Sequence, residues 1–341
     1  MSFQTGHALV LGVGEYQFMS EYNVPVAMRD ADAVAAVLQN PKYCAYPAAQ
    51  VQKLTGATAT RSAVIAALDA LATQLKEEDT LFLFFVGHGL RSTDGNYYLT
   101  TADSKLQGKQ IIPGTGISES DLIDRLRKIR AKRMMLIINS CYSGKLSANF
   151  GTDDTLENEG PPQKLTEALL STGEGRITIT ACRPEQKSWI APGELSIFSK
   201  ALVNGLKGEA PNNNGYISAF TLYEYVYQES RDAANEHFGE TQEPELTVIK
   251  GVGPFPVALY NGATAPGSFD SSATVPANAA ARSISPEKSQ RIYQQYQANL
   301  TGDGAIAQGN NAKAVGKGGI LVDGNLTGNI TIGNNNRINN K

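Results

Sequence analysis

Two short apolar tracts each stop at a side chain that can do covalent chemistry. They are Leu81-Phe-Leu-Phe-Phe-Val-Gly-His88-Gly89 and Met134-Met-Leu-Ile-Ile-Asn-Ser-Cys141-Tyr-Ser-Gly144. A cysteine attacks a carbonyl carbon as its thiolate, and an imidazole titrates near neutral pH and can take up the thiol proton. A lone cysteine is more often a buried structural thiol, and a lone histidine a core residue. Because each follows an apolar run framed by glycine, we predict that His88 and Cys141 are the catalytic groups of a cysteine hydrolase.

Glycine beside His88 has a chemical purpose in such a site. Since Gly89 has no Cβ, its backbone can lie close to a substrate. Its N–H and the N–H of Cys141 are then predicted to donate to the oxyanion that forms on the scissile carbonyl.

The two tracts are predicted to be strands of a parallel sheet. Each is too short to cross a membrane and is apolar throughout, which is typical of a strand buried on both faces. Reactive groups in such sheets collect at the carboxyl ends of the strands. Helix-periodic segments at residues 61–75 and 120–129 precede the tracts, and further strands (7–12, 176–181) and helices (30–38, 198–206) alternate along the chain. The sequence therefore predicts an α/β fold with a mostly parallel sheet flanked by helices.

Composition and charge narrow the functional class. The 341 residues are 41% hydrophobic and 18% charged, with a net charge of −3 and an isoelectric point near 5.8. These values are typical of a soluble globular protein and argue against a general nucleic-acid- or membrane-binding surface. No transmembrane or signal segment is predicted. The three cysteines, Cys44, Cys141 and Cys182, suit neither a disulfide framework nor a metal site, so we expect a reducing, cytoplasmic location.

The chain is predicted to have three parts. Residues 1–260 form the α/β domain, which a polar, acidic surface loop at 147–163 interrupts. Residues 261–289, rich in Ala, Ser, Pro and Gly, form a flexible linker. Residues 290–341 contain a short helix and a Gly/Asn-rich tail that repeats a short apolar segment, which predicts a β-repeat module for oligomerisation or partner docking. A disordered tail is the alternative interpretation.

Both tracts resemble motifs of one peptidase family. Phe85-Val-Gly-His-Gly89 resembles the Tyr/Phe-Ser-Gly-His-Gly of metacaspases and bacterial orthocaspases, and Asn139-Ser-Cys-Tyr-Ser-Gly144 resembles their Asp-x-Cys-His/Tyr-Ser-Gly. The interval of 53 residues from His88 to Cys141 is similar to the caspase spacing of about 50. The resemblance, over about residues 5–260, implies a caspase-like fold with a large-subunit-like part at about 1–146 and a small-subunit-like part at about 164–260. It implies a bacterial-type cysteine endopeptidase that works through a thioester acyl-enzyme, with Cys141 and His88 as its dyad.

The resemblance also implies a substrate pocket. Metacaspases carry acidic residues in the pocket that holds the side chain before the cleaved bond, and this chain keeps one as Asp30 but has Asn139 at the second position. A carboxylate pairs well with a guanidinium or ammonium group, so we expect cleavage after Arg or Lys. Asn139 lowers the charge of the pocket, and helix capping is the alternative role for Asp30. Trp189 is a candidate wall of the substrate site, with plain packing as its alternative role.

Two further implications concern processing and metals. If specificity is basic, Lys145 and Lys164 are candidate self-cleavage points at the borders of the acidic loop, although solvated loop lysines are the alternative. Asp103 and Glu119 lie where some metacaspases bind calcium. Calcium needs six or more oxygen ligands, and the depleted surroundings lead us to expect no calcium or other cofactor.

The expected partners are protein or peptide substrates, and nucleic acid and membrane are not expected. Two alternatives to the peptidase stay open. One is a catalytically silent caspase-fold scaffold, and the other is a related His/Cys hydrolase with non-basic specificity.

Overall fold

The computed structural model of the chain describes residues 2–93, 95–140, 175–183, 186–191, 193, 195–210, 215–250 and 255–262. The strands are β1 (Gly6–Gly12), β2 (Val51–Thr55), β3 (Thr80–Val86), β4 (Gly89–Arg91), β5 (Tyr97–Leu99), β6 (Leu106–Gln107), β7 (Gln110–Ile111), β8 (Ile117–Ser118), β9 (Arg133–Asn139), β10 (Gly175–Thr180), β11 (Tyr216–Ser218), β12 (Glu245–Lys250) and β13 (Pro256–Leu259). The α-helices are α1 (Val26–Gln39), α2 (Arg61–Gln74), α3 (Glu119–Leu126), α4 (Ile197–Asn204) and α5 (Ala219–Phe238).

A six-stranded sheet in the order β12-β10-β9-β3-β1-β2 forms the centre of the described fold. Its neighbouring strands are parallel, except for β10 and β12, which are antiparallel. The predicted mostly parallel sheet is therefore confirmed. The strands that lead to His88 and Cys141, β3 and β9, are neighbours in the middle of this sheet, where burial on both faces accounts for their unbroken apolar sequence.

Alternating side chains of each strand build two separate cores. Phe82 and Phe84 of β3 pack on one face with helices α1, α4 and α5, whereas Leu81 and Leu83 pack on the other face with α2 and α3. This two-residue period places Asn139, in phase with Met135 and Ile137 of β9, on the α1 and α4 face.

The helices begin at residues that satisfy their free N–H groups. Thr60 caps α2 by accepting from the Ala63 N–H, and Ser118 and Asp121 form a reciprocal capping box on α3. The prediction that a helix begins at Asp30 was wrong. Helix α1 begins at Val26, directly after Pro25, because proline suits the start of a helix, and Asp30 therefore lies in its second turn.

Small antiparallel elements add to the central sheet. Strands β4, β5 and β8 form a three-stranded sheet, β6 pairs with β7, and β11 pairs with β13. Strand β4 starts at Gly89, so the chain turns from β3 into this small sheet at His88 itself. Cys141, the loop at 147–163, Lys145, Lys164, the linker beyond Gly262 and the predicted repeat tail lie outside the described residues, and those predictions stay predictions.

Candidate active site

The register of β3 and β9 brings the two reactive tracts to the same edge. Val86 pairs with Asn139, and the Gly87 N–H donates to the Asn139 carbonyl over 3.3 Å. His88 follows Val86 by two residues, and Cys141 follows Asn139 by two residues. The last described residue of the second tract, Ser140, is buried, and Cys141 is joined to it by one peptide bond.

The imidazole of His88 is held by a segment that the sequence did not point to. Its Nε2 lies 2.8 Å from the Tyr22 carbonyl oxygen, in the short 3-10 helix Ser20–Tyr22. A carbonyl oxygen only accepts hydrogen bonds, so Nε2 carries the proton and Nδ1 of the neutral ring keeps a lone pair. The Tyr16 ring stacks on the imidazole at 5.6 Å between centroids, and the Tyr22 ring meets it edge-on at 6.1 Å.

Burial keeps His88 in its neutral form. The side chain is only 7% exposed, and this desolvation lowers the pKa of His88 below its usual value, although the hydrogen bond to Tyr22 opposes the shift. A neutral imidazole with an unprotonated Nδ1 is the form that can act as a general base near neutral pH.

The backbone of His88 is fixed on both sides. Its N–H donates to the Tyr16 hydroxyl over 3.3 Å, and its carbonyl accepts from the Thr100 N–H at 3.0 Å and from the Thr100 Oγ1 at 2.8 Å. The Tyr16 hydroxyl in turn donates to the Val13 carbonyl over 3.0 Å. Burial raises the pKa of Tyr16 to about 12, so this hydroxyl stays protonated.

The absence of a side chain at Gly89 leaves room for a close neighbour. A Cβ at position 89 would lie 1.7 Å from the Tyr97 hydroxyl, which therefore occupies the space of a side chain. Tyr97 also bonds to Ser140 Oγ over 3.1 Å and so links β5 to the end of β9. The Thr100 N–H donates to the His88 carbonyl, so residues 88 and 100 form a hydrogen-bonded pair at the end of the antiparallel β4–β5 pairing. Hydrogen-bonded pairs alternate with pairs that are not hydrogen-bonded, and Gly89–Leu99 is the next pair. The Gly89 N–H therefore points away from β5.

A small cleft lies beside these two strand ends. It is lined by Val24, Val26, Ala27, Asp30, Val86, Gly87, Asn139, Ser140, Ser188, Ile190 and Ser196. The structure therefore brings Asp30 and Asn139 together in one cleft, next to the residues that precede His88 and Cys141.

Asp30 is 0% exposed and anchors the start of helix α4. Its Oδ1 accepts from the Ser196 N–H at 3.0 Å, and its Oδ2 accepts from the Ser196 hydroxyl at 2.5 Å. Burial raises the pKa of the Asp30 carboxyl, while hydrogen bonds from Ser196 and Ser199 and the charge of Arg29 oppose that shift. Asp30 thus binds the N-terminus of α4 rather than capping its own helix.

Both polar atoms of the Asn139 side-chain amide are hydrogen-bonded to serines. Its Nδ2 donates to Ser196 Oγ and to Ser199 Oγ, each over 3.0 Å, and its Oδ1 accepts from Ser188 Oγ at 2.9 Å. The serines thereby join Asn139 to Asp30 across the cleft floor.

The indole of Trp189 stacks on Phe238 of α5 at 4.6 Å, and Lys187 Nζ lies 5.3 Å from its centroid. Its chain neighbours Ser188 and Ile190 line the cleft instead. A substrate-wall role for Trp189 stays a prediction.

The two described cysteines are buried and contact backbone carbonyls. Cys44 Sγ lies 3.4 Å from the Leu206 oxygen, and burial raises the pKa of its thiol. Cys182 Sγ lies 3.5 Å from the Gln186 oxygen. Both environments suit a structural thiol.

Of the two acids considered for calcium, Asp103 already has a partner. Asp103 accepts from the Arg61 N–H at 2.8 Å and so caps α2. Arg61 Nη2 bonds to Asp121 Oδ2 over 2.8 Å, while Glu119 is the first residue of α3. Within the described residues, no group of three or more His, Cys, Asp or Glu is arranged to hold a metal ion.

Sequence reasoning missed the residues that position the predicted groups. Tyr16 and Tyr22 precede His88 by 72 and 66 residues, and Ser196 follows Asp30 by 166. Nothing in the residue type of Tyr97 indicates its bond to Ser140.

The sequence matches the family model described as Caspase domain over residues 5–250. A crystal structure of a protein from Geobacter sulfurreducens aligns with a TM-score of 0.50 and 18% identity, over 75% of this chain and 99% of that chain. Caspase-1 from Spodoptera frugiperda aligns with a TM-score of 0.48 and 13% identity, over 75% and 91% of the two chains. No curated protein matches the sequence. Across the described ranges, no helix is both long and apolar enough for a bilayer span.

Proposed function

The chain belongs to the caspase domain family, and from this premise we propose that it is a cysteine endopeptidase that cleaves proteins after Arg or Lys. Cys141 is the nucleophile, His88 is the general base, and the N–H groups of Gly89 and Cys141 bind the oxyanion. Asp30, assisted by Asn139, receives the basic side chain of the substrate.

The fixed tautomer of His88 is the observation that supports this function most. Its Nε2–H is committed to the Tyr22 carbonyl, which leaves Nδ1 as the basic atom of the ring. Stacking on Tyr16 and the bonds to both backbone groups of His88 restrict its movement. A core histidine without a chemical role does not need this combination of an unprotonated ring nitrogen and a rigid setting beside a cleft.

In the proposed reaction, Nδ1 of His88 takes the thiol proton of Cys141, and the sulfur forms a bond to the scissile carbonyl carbon. The imidazolium then gives its proton to the leaving amine as the C–N bond breaks, which leaves a thioester. Water attacks the thioester and passes a proton to His88. The thiolate leaves, a carboxylic acid is released, and the thiolate recovers the proton from His88.

The Asp30 carboxylate supports basic specificity. It lies at the floor of a cleft whose other lining groups are apolar or neutral, and the cation that acts on it among the described residues is its neighbour Arg29. A long cationic side chain that enters this cleft gains a charge-assisted hydrogen bond.

Initial rates on fluorogenic peptides that end in Arg or Lys test the proposal. The full chain and Cys182→Ala should cleave them, while Cys141→Ala and His88→Ala should not. Cleavage that persists in Cys141→Ala would exclude this nucleophile. Failure of the wild type to cleave any peptide of a mixed library would favour the scaffold, and preference for an uncharged residue would favour the non-basic hydrolase.

Two further parts of the proposal concern cofactors and assembly. The reaction as written uses no metal, and Asp103, one of the two acids considered for calcium, already accepts from the Arg61 N–H. The Gly/Asn-rich tail beyond residue 300 acts as an oligomerisation or docking module, for the reason that its short apolar repeats are too few to bury their own face.

A further inference from the structure

A chain of hydrogen bonds, in which each group donates to the next in the direction of Asp30, runs along the wall and floor of the cleft. It passes from Gln242 through Ser188, Asn139, Ser196 and Ser199 to Asp30. These residues come from five separate parts of the described fold, so the chain also joins the segments that form the cleft.

Backbone groups fix the direction at the Gln242 end. The Gln242 Nε2 donates to the Ala181 carbonyl over 3.0 Å, and its Oε1 accepts from the Trp189 N–H at 2.8 Å. A carbonyl cannot donate and an N–H cannot accept, so this amide has one orientation. The same Nε2 reaches Ser188 Oγ over 3.4 Å, which leaves the Ser188 proton for the Asn139 oxygen at 2.9 Å.

The direction continues through Asn139. Because its Oδ1 accepts from Ser188, its two Nδ2 protons face Ser196 Oγ and Ser199 Oγ, each at 3.0 Å. Each serine oxygen therefore accepts from the amide and has its own proton available for Asp30. Ser196 gives that proton to Asp30 Oδ2 at 2.5 Å, and the Ser199 side chain also bonds to Asp30.

The last donors of this network converge on one buried carboxylate. Asp30 receives the two serine hydroxyls and the Ser196 N–H, and it has no solvent contact. Burial favours the neutral acid, whereas hydrogen bonds donated to the carboxylate favour the anion. An acid at position 139 would supply no proton to either serine.

We infer that Asn139 directs Ser196 and Ser199 to hold Asp30 as an anion, so that these three residues set selectivity for a cationic substrate side chain. Asn139 acts through the serines and is not a weakened second acid. The inference rests on the proposed function. It has a consequence opposite to simple charge counting: replacing Asn139 with a second acid lowers selectivity for a cation, because two buried carboxylates compete for the same serine protons.

The test compares peptides that end in Arg with matched peptides that end in citrulline, which replaces the guanidinium by a neutral urea. The ratio of their kcat/KM values in the full chain measures recognition of charge. The variants are Asn139→Asp, Ser199→Ala and Ser199→Thr. Asn235→Asp, exposed on α5, and Ser230→Ala, buried on α5 with no bond to its hydroxyl among the described residues, are matched controls.

We expect the Arg-to-citrulline ratio to fall about tenfold in Asn139→Asp and Ser199→Ala, the size of effect of one hydrogen bond to a charged group. Ser199→Thr and both controls should stay within about twofold of the wild type, since each keeps the network. Circular dichroism identifies folded variants, and Ser199→Ala decides the matter if Asn139→Asp does not fold.

The test distinguishes failure of the inference about Asn139 from failure of the proposed function. A wild type that prefers Arg, together with unchanged or higher ratios in the folded Asn139→Asp and Ser199→Ala variants, would overturn the role given to Asn139 and the two serines. It would not contradict the proposed peptidase function. A wild type that cleaves both peptides equally would overturn both the basic specificity and the role given to Asn139 and the two serines.

Discussion

Replacing Tyr16 with phenylalanine should separate the positioning of His88 from the stability of the fold. The hydroxyl contacts the His88 N–H at 3.3 Å, the Val13 carbonyl at 3.0 Å and Thr100 Oγ1 at 3.0 Å, while the ring stacks on the imidazole. Phenylalanine keeps the ring but removes a partner from two buried backbone groups. The free energy of unfolding should fall by about 2 kcal/mol.

Catalysis should fall for a different reason. Without the hydroxyl, the backbone of His88 loses its N–H anchor, and the imidazole that we propose as the base is held less firmly. We expect kcat to fall about tenfold, which corresponds to about 1.4 kcal/mol of the barrier, with KM within about twofold of the wild type.

Tyr46→Phe is the matched control. Tyr46 is also a buried tyrosine, and its hydroxyl bonds to the Val257 carbonyl, but it does not line the cleft. It should lose about 1 kcal/mol of stability and keep its kcat. Rates are compared at a temperature where denaturation curves show all three proteins folded. Equal kcat values for Tyr16→Phe and the wild type, or equal losses in the two variants, would refute the reasoning.

Four other results are expected. Gly89→Ala should lower kcat/KM about a hundredfold in initial-rate assays, because the methyl collides with the Tyr97 hydroxyl and displaces an oxyanion donor; activity near that of the wild type would contradict this role. The lowered pKa of His88 keeps its base form at mildly acidic pH, so the acid limb of kcat/KM against pH should lie below about 6.5, and a limb above that value would contradict it. Chelator and added calcium should each change kcat/KM by less than about twofold, because Asp103 already accepts from the Arg61 N–H; calcium dependence would contradict this expectation. Truncation at about residue 300 should convert oligomers to monomers in size-exclusion chromatography, whereas unchanged oligomers would remove the role given to the tail.

Much of the fold follows from local sequence. The tracts that become β3 and β9 are apolar at nearly every position because both faces are covered by helices, and this pattern is readable without a structure. Helix α5 was not predicted. Its buried positions are Ala219, Leu222, Val226, Ser230 and Ala234, and small residues at this spacing give a weak apolar stripe.

The candidate site could be predicted only in part. His88 and Asp30 could be proposed from their motifs, and the structure brings Asp30, Asn139 and the ends of β3 and β9 to one cleft. Tyr22 contributes a backbone carbonyl, which no side-chain pattern records. The partner of Asp30 is Ser196, and only the packing of α4 on α1 brings these distant residues together.

Asn139 shows how a motif can mislead about charge. Compared with the family pattern it is a missing acid, but its amide protons face two serines that bond to Asp30. The meaning of this residue depends on donors and acceptors that come from elsewhere in the fold, and the sequence around it does not contain them.

Covalent labelling tests the central claim most directly. The full chain would be treated with a thiol-reactive peptidyl ketone that carries arginine, and the site of the adduct would be mapped by mass spectrometry of a digest. We expect one adduct, on Cys141, that is lost in His88→Ala and is absent when the arginine is replaced by citrulline. An adduct on Cys44 or Cys182, or labelling that does not depend on His88, would contradict the assignment of the catalytic dyad.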